Sequence, residues 1–496
     1  MRLFVLYLLG LSLLFTIGCK KEKAISKTGS KLLFATRGDT PGIYDAQGRR
    51  VILRGVNYNV LGDYWQANAA VPPTKTYAAE DIRLMAANGF NCVRLLFNWS
   101  KLEPQAGTYN DAYIQQIKGV IEECATYNIY VMLDMHQDAY GKYIATPADS
   151  VCANPNKGWD GAPLWATYTD GESTCQSGNG RETAPAVYHA FQNFWDNTNG
   201  IQDNCIAAWQ YLVSATCSYE NVLGYDLLNE PGLGYKTPMD AEMTKLSNYY
   251  TRLINAIRIA ENGNLQHIIF IENPITYKGL GIVGLPDPNL TADNNVVVAP
   301  HHYFESIGNL PVTIEAGYNT LLSAAAKYNA TLFIGEWGYF GNPATDVQKV
   351  KRFAAAEDAH FGSSTWWQWC QAPGDPHGIS WDGASYATTS LHLIELDANA
   401  NYTGNTNQLY LQVLSRTRPN AIAGTPTLLT SNSDNGEMTL EATTASKAEA
   451  EVWIPNRFGT PQITGTNATL KELKTVEGGY VATVEVNGNY RIQVVF

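Results

Sequence analysis

The chain has no long basic run and carries only 34 Lys and Arg against 46 Asp and Glu, a net charge of −12. A nucleic-acid partner needs a positive footprint for its phosphates, so that class is excluded. No apolar run reaches the ~20 residues that a membrane span requires. No Gly-rich phosphate loop and no nucleophile elbow stands out. His301-His302-x-x-Glu305 is the nearest approach to a metal motif. Adjacent histidines on a strand point to opposite faces, and no further ligand set has zinc spacing, so no metal and no cofactor are expected.

What remains is apolar and aromatic. Hydrophobic residues make up 45% of the 496, enough for a large core, and there are 12 Trp and 29 Tyr. Most of these aromatics belong in a core, but such rings also stack on the flat C–H faces of sugars.

Two stretches share one design. Leu223-Gly224-Tyr225-Asp226-Leu227-Leu228-Asn229-Glu230-Pro231 and Thr331-Leu332-Phe333-Ile334-Gly335-Glu336-Trp337-Gly338 are apolar strands. Each delivers a glutamate at its C-terminal end. Either glutamate alone reads equally well as a strand-end surface charge. Two across one pocket are the equipment for glycoside hydrolysis, one as acid/base and one as nucleophile.

The N-terminal run Leu3–Ile17, with Arg2 before it, reads as an export signal. Thr16-Ile17-Gly18 is a small-x-small cleavage pattern followed at once by Cys19, and this resembles a bacterial lipobox. The expectation is a lipoprotein signal at 1–18, a lipidated Cys19 and a polar tether at 19–30. The mature chain is then exported to the periplasmic or cell-surface face of a membrane. An ordinary signal peptide and a secreted chain are the alternative. Export permits disulfides. Cys152 with Cys175, flanking an insertion, and Cys205 with Cys217 are the expected pairs. Cys92 and Cys124 read as buried thiols, and Cys370 is left over.

From Arg54 to Cys370 strand and helix patterns alternate. A hairpin turned at Gln47-Gly48 leads into the first of eight strands: Arg54–Tyr58, Asn91–Trp99, Ile129–Met135, the Glu230 strand, His267–Glu272, Asn295–Pro300, the Glu336 strand and Ser363–Cys370. Helical periods lie between them, with a long insertion from Gln137 to about Pro185. The pattern is a (β/α)₈ barrel, 31–421. Beyond it, 422–496 shows only short strand patterns, with a turn at Asn487-Gly488-Asn489, and reads as a small antiparallel β-sandwich.

In a (β/α)₈ barrel the chemistry lies at the C-terminal strand ends. The polar residues found there are Arg94, His136, Asn229, Glu230, His301, Tyr303, Glu336 and Trp369. Glu230 is assigned as acid/base, which requires a raised pKa, and Glu336 as nucleophile, which must stay ionised. Arg94 and Tyr303 suit the latter. Asn229, His136 and His301 suit sugar hydroxyls, and Trp369 a sugar floor. Phe304, Tyr339, Phe340, Ile379 and Trp381 are candidate linings of an apolar groove on the leaving-group side.

With these residues placed, the chain resembles glycoside hydrolase family 5. Asn229-Glu230-Pro231 is similar to its acid/base signature, Gly335-Glu336-Trp337-Gly338 to its nucleophile strand, and His301-x-Tyr303 to its pair after strand six. Longer matches resemble the endoglycoceramidase-like group: Asp134-Met135-His136-Gln137-Asp138, Gly161-Ala162-Pro163-Leu164-Trp165-Ala166-Thr167-Tyr168 and Ala421-Ile422-Ala423-Gly424-Thr425-Pro426. The resemblance implies metal-free cleavage, with retention, of the β-glycosidic bond between a glycan and ceramide. It also implies contact of Asp138 with the sugar beside that bond. Group members that cut glucosyl links carry a lysine near Asp63 and a tryptophan near Glu182. Both positions are acidic here, so galactose, glucose or a sugar on another lipid remain open. A family 5 endo-β-glycanase of cellulase or mannanase type is the competing enzyme reading. A catalytically dead glycan-binding lipoprotein is the competing reading from another class. The expected partners are a glycolipid or oligosaccharide substrate and a membrane surface reached through the lipid anchor. A monomer is expected.

Overall fold

The computed structural model describes residues 31–178, 180–235, 239–263, 265–275, 285–307, 311–387 and 391–496. The expected signal and tether, with Cys19, lie outside the described residues. Three short strands come first: β1 (Phe34–Thr36), β2 (Gly42–Tyr44) and β3 (Arg50–Val51). Eight parallel strands follow: β4 (Arg54–Tyr58), β5 (Cys92–Phe97), β6 (Tyr130–Met135), β7 (Val222–Asp226), β8 (Ile268–Ile271), β9 (Val296–Val298), β10 (Phe333–Trp337) and β11 (Ser363–Trp366). They neighbour one another in chain order from β4 to β9, and β10 joins β4 through β11. Bridges between Val298 and Leu332 and between His302 and Trp337 link β9 to β10 and close the barrel. All eight expected strands form.

Side chains alternate across each strand, and the alternation positions the site. On β6, Val131, Leu133 and Met135 join the large core under the surrounding helices. Met132 faces the barrel axis, in a cluster with Leu223, Phe270, Val297 and Phe333. Leu33 and Ala35 belong to that cluster too, so the N-terminal segment plugs the bottom of the barrel. One and two steps above Met132 on the same face stand Asp134 and His136. The axis is thus apolar below and charged above.

The helices Ala79–Ala87, Asp111–Thr126, Met239–Glu261, Ile314–Lys327 and Pro343–Ala359 match the sequence periods. Between the insertion and β7 the helical period forms two helices, Pro185–Trp195 and Ile201–Thr216, parted where Asn197, Asn199 and Gly200 take positive φ. In the insertion Cys152 and Cys175 form the expected disulfide. Cys205 is instead a free, buried thiol, its Sγ 3.6 Å from Met135 Sδ and 3.5 Å from Tyr249 Oη, so the expected Cys205–Cys217 bridge does not form. Its place on the core-facing side of a helix explains this: Cys205 fills space between helix and strand.

After the small pair β12 (Ile394–Leu396) and β13 (Tyr402–Thr406) come β14 (Arg418–Ile422), β15 (Thr425–Ser431), β16 (Met438–Pro455), β17 (Gln462–Val476) and β18 (Gly479–Val495). They form an antiparallel sheet in the order β1-β2-β3-β14-β16-β18-β17, with β15 also on β16. The first three strands, read from sequence as part of the barrel unit, pair into this sheet through Val51 and Ala421. The turn expected at Asn487-Gly488-Asn489 is a kink inside β18, opposite a register shift between Thr444 and Ala448 of β16. Gly488 takes φ +58° there, a conformation that glycine adopts without penalty. The residues on either side of the kink, Val484 and Ile492 among them, share one core.

Candidate active site

Arg94 on β5 is the centre of the barrel mouth. It is wholly buried and surrounded by four carboxylates. Nε donates to Asp226 Oδ2 (2.8 Å) and Nη1 to Glu336 Oε1 (2.9 Å). Nη2 donates to Glu272 Oε1 (2.9 Å) and lies 3.1 Å from Asp134 Oδ1. The same guanidinium reaches Asn57 Oδ1 (3.0 Å) and Asn229 Oδ1 (2.9 Å). Its planar fork suits such a set as a lysine cannot. Burial disfavours its charge, but the four carboxylates outweigh burial and hold it protonated. Around Asp226 burial wins, with Glu272 adding to it, so that carboxyl is pushed well above the usual range.

Glu336 sits on this cation. Tyr303 Oη donates to its Oε2 (2.9 Å), and His301 Nδ1 lies 3.3 Å from the same oxygen. Burial alone raises its pKa, but His301 and Arg94 outweigh burial and hold it below the ordinary glutamate value. Glu230 stands across from it, 4% exposed. Its Oε1 is 2.8 Å from His301 Nδ1, its backbone N–H donates to Glu272 Oε2 (2.9 Å), and it takes φ +39°. Gln137 Nε2 donates to the carbonyls of Asn229 (2.7 Å) and Glu230 (2.9 Å), which fixes this turn of the backbone. An oxygen of Glu230, a nitrogen of His301 and an oxygen of Glu336 all lie within 4.8 Å of one another. Carboxylate oxygens this close suit a nucleophile and its acid/base in one pocket.

The two histidines of the His301-His302 pair do face opposite ways. His302 Nε2 bonds to Ile314 O (3.0 Å), and its ring packs on Phe304 and Phe353. Two further clusters have the proximity of metal ligands, Asp134 with Asp226 and Glu272, and His136 with Asp138 and Asp160. In the first, Arg94 already supplies the cation.

At the other end of the mouth His136 Nδ1 bonds to Asp134 Oδ2 (2.8 Å). Burial opposes its charge, but Asp134 outweighs burial and the pKa is pushed up to about 9. Trp367 stacks on His136 with ring centroids 5.5 Å apart. Trp369, the expected sugar floor, is fully buried and packs edge-on to Phe90 instead. β11 ends at Trp366, so strand alternation no longer governs these positions, and Trp367 is the indole at the mouth.

Asp138 is also in place. Arg181, from the insertion, bonds to it, and the same Nη2 lies 3.3 Å from Glu230 Oε2. Arg181 Nε donates to Glu182 Oε1 (2.6 Å). The other acidic position, Asp63, accepts from Lys142 Nζ (2.9 Å) and Ser100 Oγ (2.7 Å). Each acidic departure from the glucosyl-cleaving pattern therefore carries its own basic partner.

The structure thus brings together Arg94, His136, Asp138, Asn229, Glu230, His301, Tyr303 and Glu336, and leaves Trp369 out. The expected apolar linings Phe304, Tyr339 and Ile379 are buried in packing; Phe340 and Trp381 stay partly exposed. Other apolar side chains are exposed on the loops that follow the barrel strands: Tyr143 and Leu164 after β6, Tyr235 after β7, Ile307 after β9 and Tyr386 after β11. Sequence reasoning missed Asp134, Asp226, Glu272, Trp367 and Arg181. Glu272 ends an apolar strand as the others do, and Asp134 shares the strand face of His136. Both signals were available. Arg181 lies in a loop without periodicity and gave none.

Residues 44–373 match the family described as cellulase (glycosyl hydrolase family 5). An endoglycoceramidase of Cyanea nozakii is 26% identical over 428 residues, 80% of this chain and 78% of that protein. A crystal structure of endogalactoceramidase superposes with a TM-score of 0.85 at 34% identity, covering 94% of this chain and 100% of the other. Endo-glycoceramidase II from Rhodococcus sp. in complex with ganglioside GM3 gives 0.69 at 23% identity, covering 92% and 99%, and at that identity speaks for the fold alone.

Proposed function

The chain belongs to the cellulase family of glycosyl hydrolases, family 5, and on that premise we propose that it hydrolyses the β-glycosidic bond between a glycan and ceramide, with retention. The observation that carries this is the Glu230–His301–Glu336 constellation, its ligand atoms within 4.8 Å of one another, with Glu336 held ionised. Glu336 attacks the anomeric carbon as the bond to the glycosidic oxygen breaks. That oxygen leaves with the ceramide and takes a proton from Glu230. A water then gives its proton to Glu230 and its oxygen to the anomeric carbon, and the bond to Glu336 breaks. His301 and Arg94 keep Glu336 ionised for the first step, and the Tyr303 hydroxyl holds its Oε2 in place. Asn229 keeps one amide N–H on Gln137 O (3.0 Å) and has a second for a sugar hydroxyl. His136, fixed through Nδ1, and Asp138 serve the same sugar, with Trp367 as its floor.

Relatives named endoglycoceramidase and endogalactoceramidase support the ceramide aglycone. So do the exposed Tyr143, Leu164, Tyr235, Ile307 and Tyr386, on the loops of the catalytic face, where an apolar leaving group must pass. Mass spectrometry of products from a panel of glucosyl- and galactosyl-linked glycosphingolipids tests the reading. Intact glycan plus ceramide is the expected result; release only from cellulose or mannan fragments would replace it by the endoglycanase. The endogalactoceramidase likeness makes the galactosyl linkage the first to try. Cys19, directly after Gly18, is the proposed lipid attachment site, tethering an exported monomer at a membrane face.

A further inference from the structure

Arg181 is not a stray surface cation. Its side chain is 16% exposed and is held from three sides: Glu182 through Nε, Asp138 through Nη2, and the Trp159 ring, which its guanidinium carbon overlies at 4.3 Å. It enters the mouth from a short 3₁₀ turn, Arg181–Thr183, that follows Gly180 at φ +129°. The contact with Glu230 Oε2 is the longest it makes with a carboxylate, at 3.3 Å.

That contact conflicts with the chemistry. An acid/base must present one oxygen, protonated, to the departing glycosidic oxygen. Here Oε1 faces His301 Nδ1 and Oε2 faces a guanidinium, which can only donate. A guanidinium on Oε2 favours the ionised carboxylate, which has no proton to give, and a protonated Oε2 is the weaker acceptor for it. Departure of Nη2 from Oε2 therefore favours the protonated acid that cutting the bond requires. Nη2 is also the atom on Asp138, whereas the anchor to Glu182 is at Nε, nearer the stem. Turning the end of the guanidinium away frees Asp138 and Glu230 together and keeps Glu182.

Resting on the reading of Glu230 as acid/base, we propose that Arg181 is a specificity-determining residue: its guanidinium occupies the place of a sugar hydroxyl between Asp138 and Glu230, and a β-glycoside is cleaved when a hydroxyl of the sugar beside the cleaved bond donates to Asp138 and displaces that guanidinium from Glu230. A sugar whose hydroxyl points elsewhere leaves the guanidinium in place and its bond uncut. Among the described residues, His301 and Glu336 face Glu230 across the mouth, Glu272 lies beneath its N–H, and Asp138, at the start of the insertion, stands beside it.

The test compares wild type with Arg181→Ala, Arg181→Gln and Arg181→Lys. Calorimetric binding of free galactose and glucose reads displacement without turnover. Removing a competitor that fills the site most of the time tightens apparent affinity by about tenfold for Arg181→Ala. Arg181→Gln is expected to follow it, and Arg181→Lys to fall between. In kcat/KM on aryl β-galactoside and β-glucoside, the ratio between the two sugars moves toward one in Arg181→Ala. The alkaline limb of kcat/KM moves to higher pH, because the free enzyme's Glu230 has lost a cation, while the alkaline limb of kcat stays. Weaker sugar binding in the Ala and Gln variants would make Arg181 a direct substrate ligand and overturn the displacement. Unchanged binding and an unchanged ratio would overturn it too. Aryl glycosides and free sugars probe only the glycone end. A wild type that cuts aryl glycosides but no glycolipid would refute the ceramide reading and leave this result standing.

Discussion

Removing Arg94 tests the electrostatic design of the site. In Arg94→Met the carboxylates of Asp134, Asp226, Glu272 and Glu336 face one another without the cation that now binds all four. The sign for Glu336 follows from its lowered folded pKa. Its ionised form contributes stability above the unfolded value, and that stability is lost as pH falls through the folded value. Without Arg94 the folded pKa rises. Two unit charges about 4 Å apart at an effective dielectric of ~20 interact by about 4 kcal/mol, or some three pKa units. His301 still faces Glu336, and Asp226, already pushed up by burial and Glu272, takes a proton first. The expected net rise is therefore about one to two units. The assay is kcat/KM against pH on an activated aryl β-glycoside, whose departure needs little help from Glu230, so the acid limb reports Glu336. The limb should move up by that amount, with a loss of about 3–5 kcal/mol in stability at neutral pH that shrinks as the carboxylates protonate. Arg94→Lys keeps the charge but offers three donors in place of the fork, and should fall between. A folded Arg94→Met protein whose acid limb lies within about 0.3 unit of wild type would refute the claim that Arg94 keeps Glu336 ionised.

Glu336→Gln should remove nearly all turnover on every substrate. Glu230→Gln should lose about 10²–10⁴-fold on native glycolipid and far less on an activated aryl glycoside, with azide restoring part of it as a β-glycosyl azide. Near-wild-type activity of both variants on glycolipid would remove the assignment. Trp367→Ala and Trp369→Ala both remove a buried indole and should each cost about 3–5 kcal/mol of stability, but below their melting temperatures only Trp367→Ala should lower kcat/KM, by about tenfold or more. A loss of kcat/KM in Trp369→Ala with none in Trp367→Ala would restore Trp369 as the sugar floor. Intact-mass analysis of protein from its native host should find lipid on Cys19, and an unmodified mature chain would exclude the anchor.

The barrel was legible because many of its strands are apolar runs that end in polar residues, and Val222–Asp226, Ile268–Ile271 with Glu272 after it, and Phe333–Trp337 with Glu336 announce themselves in that way. The proposed catalytic pair, Glu230 and Glu336, followed from the rule that chemistry sits at strand ends. Trp369 was misplaced because a strand pattern was extended four residues past Trp366, where the regular strand β11 ends. Asp134 and Asp226 went unseen because an acid inside an apolar strand makes sense only once Arg94 is known to reach it. Arg181 and the kink at Gly488 depend on contacts between distant segments, which no local pattern encodes.

The pairing of β3 with β14 bears on how the chain comes to be folded. Arg50 meets Ile422, and Ala421 meets Val51, across more than two-thirds of the sequence. Trp453 lies against Gly89 so closely that a methyl group there would clash with its indole, and Arg418 Nη2 donates to Gly89 O (2.5 Å). β1–β3 pair among themselves, but the outer edge of β3 therefore has no partner until β14, Arg418–Ile422, has been made. Contacts so far apart in sequence form slowly, and until they form β1–β3 offer an open strand edge to other chains. A ribosome-bound or partly translocated chain that stops near residue 421 should be sticky and protease-sensitive rather than a small working enzyme, and refolding from denaturant should be limited by the meeting of the two ends.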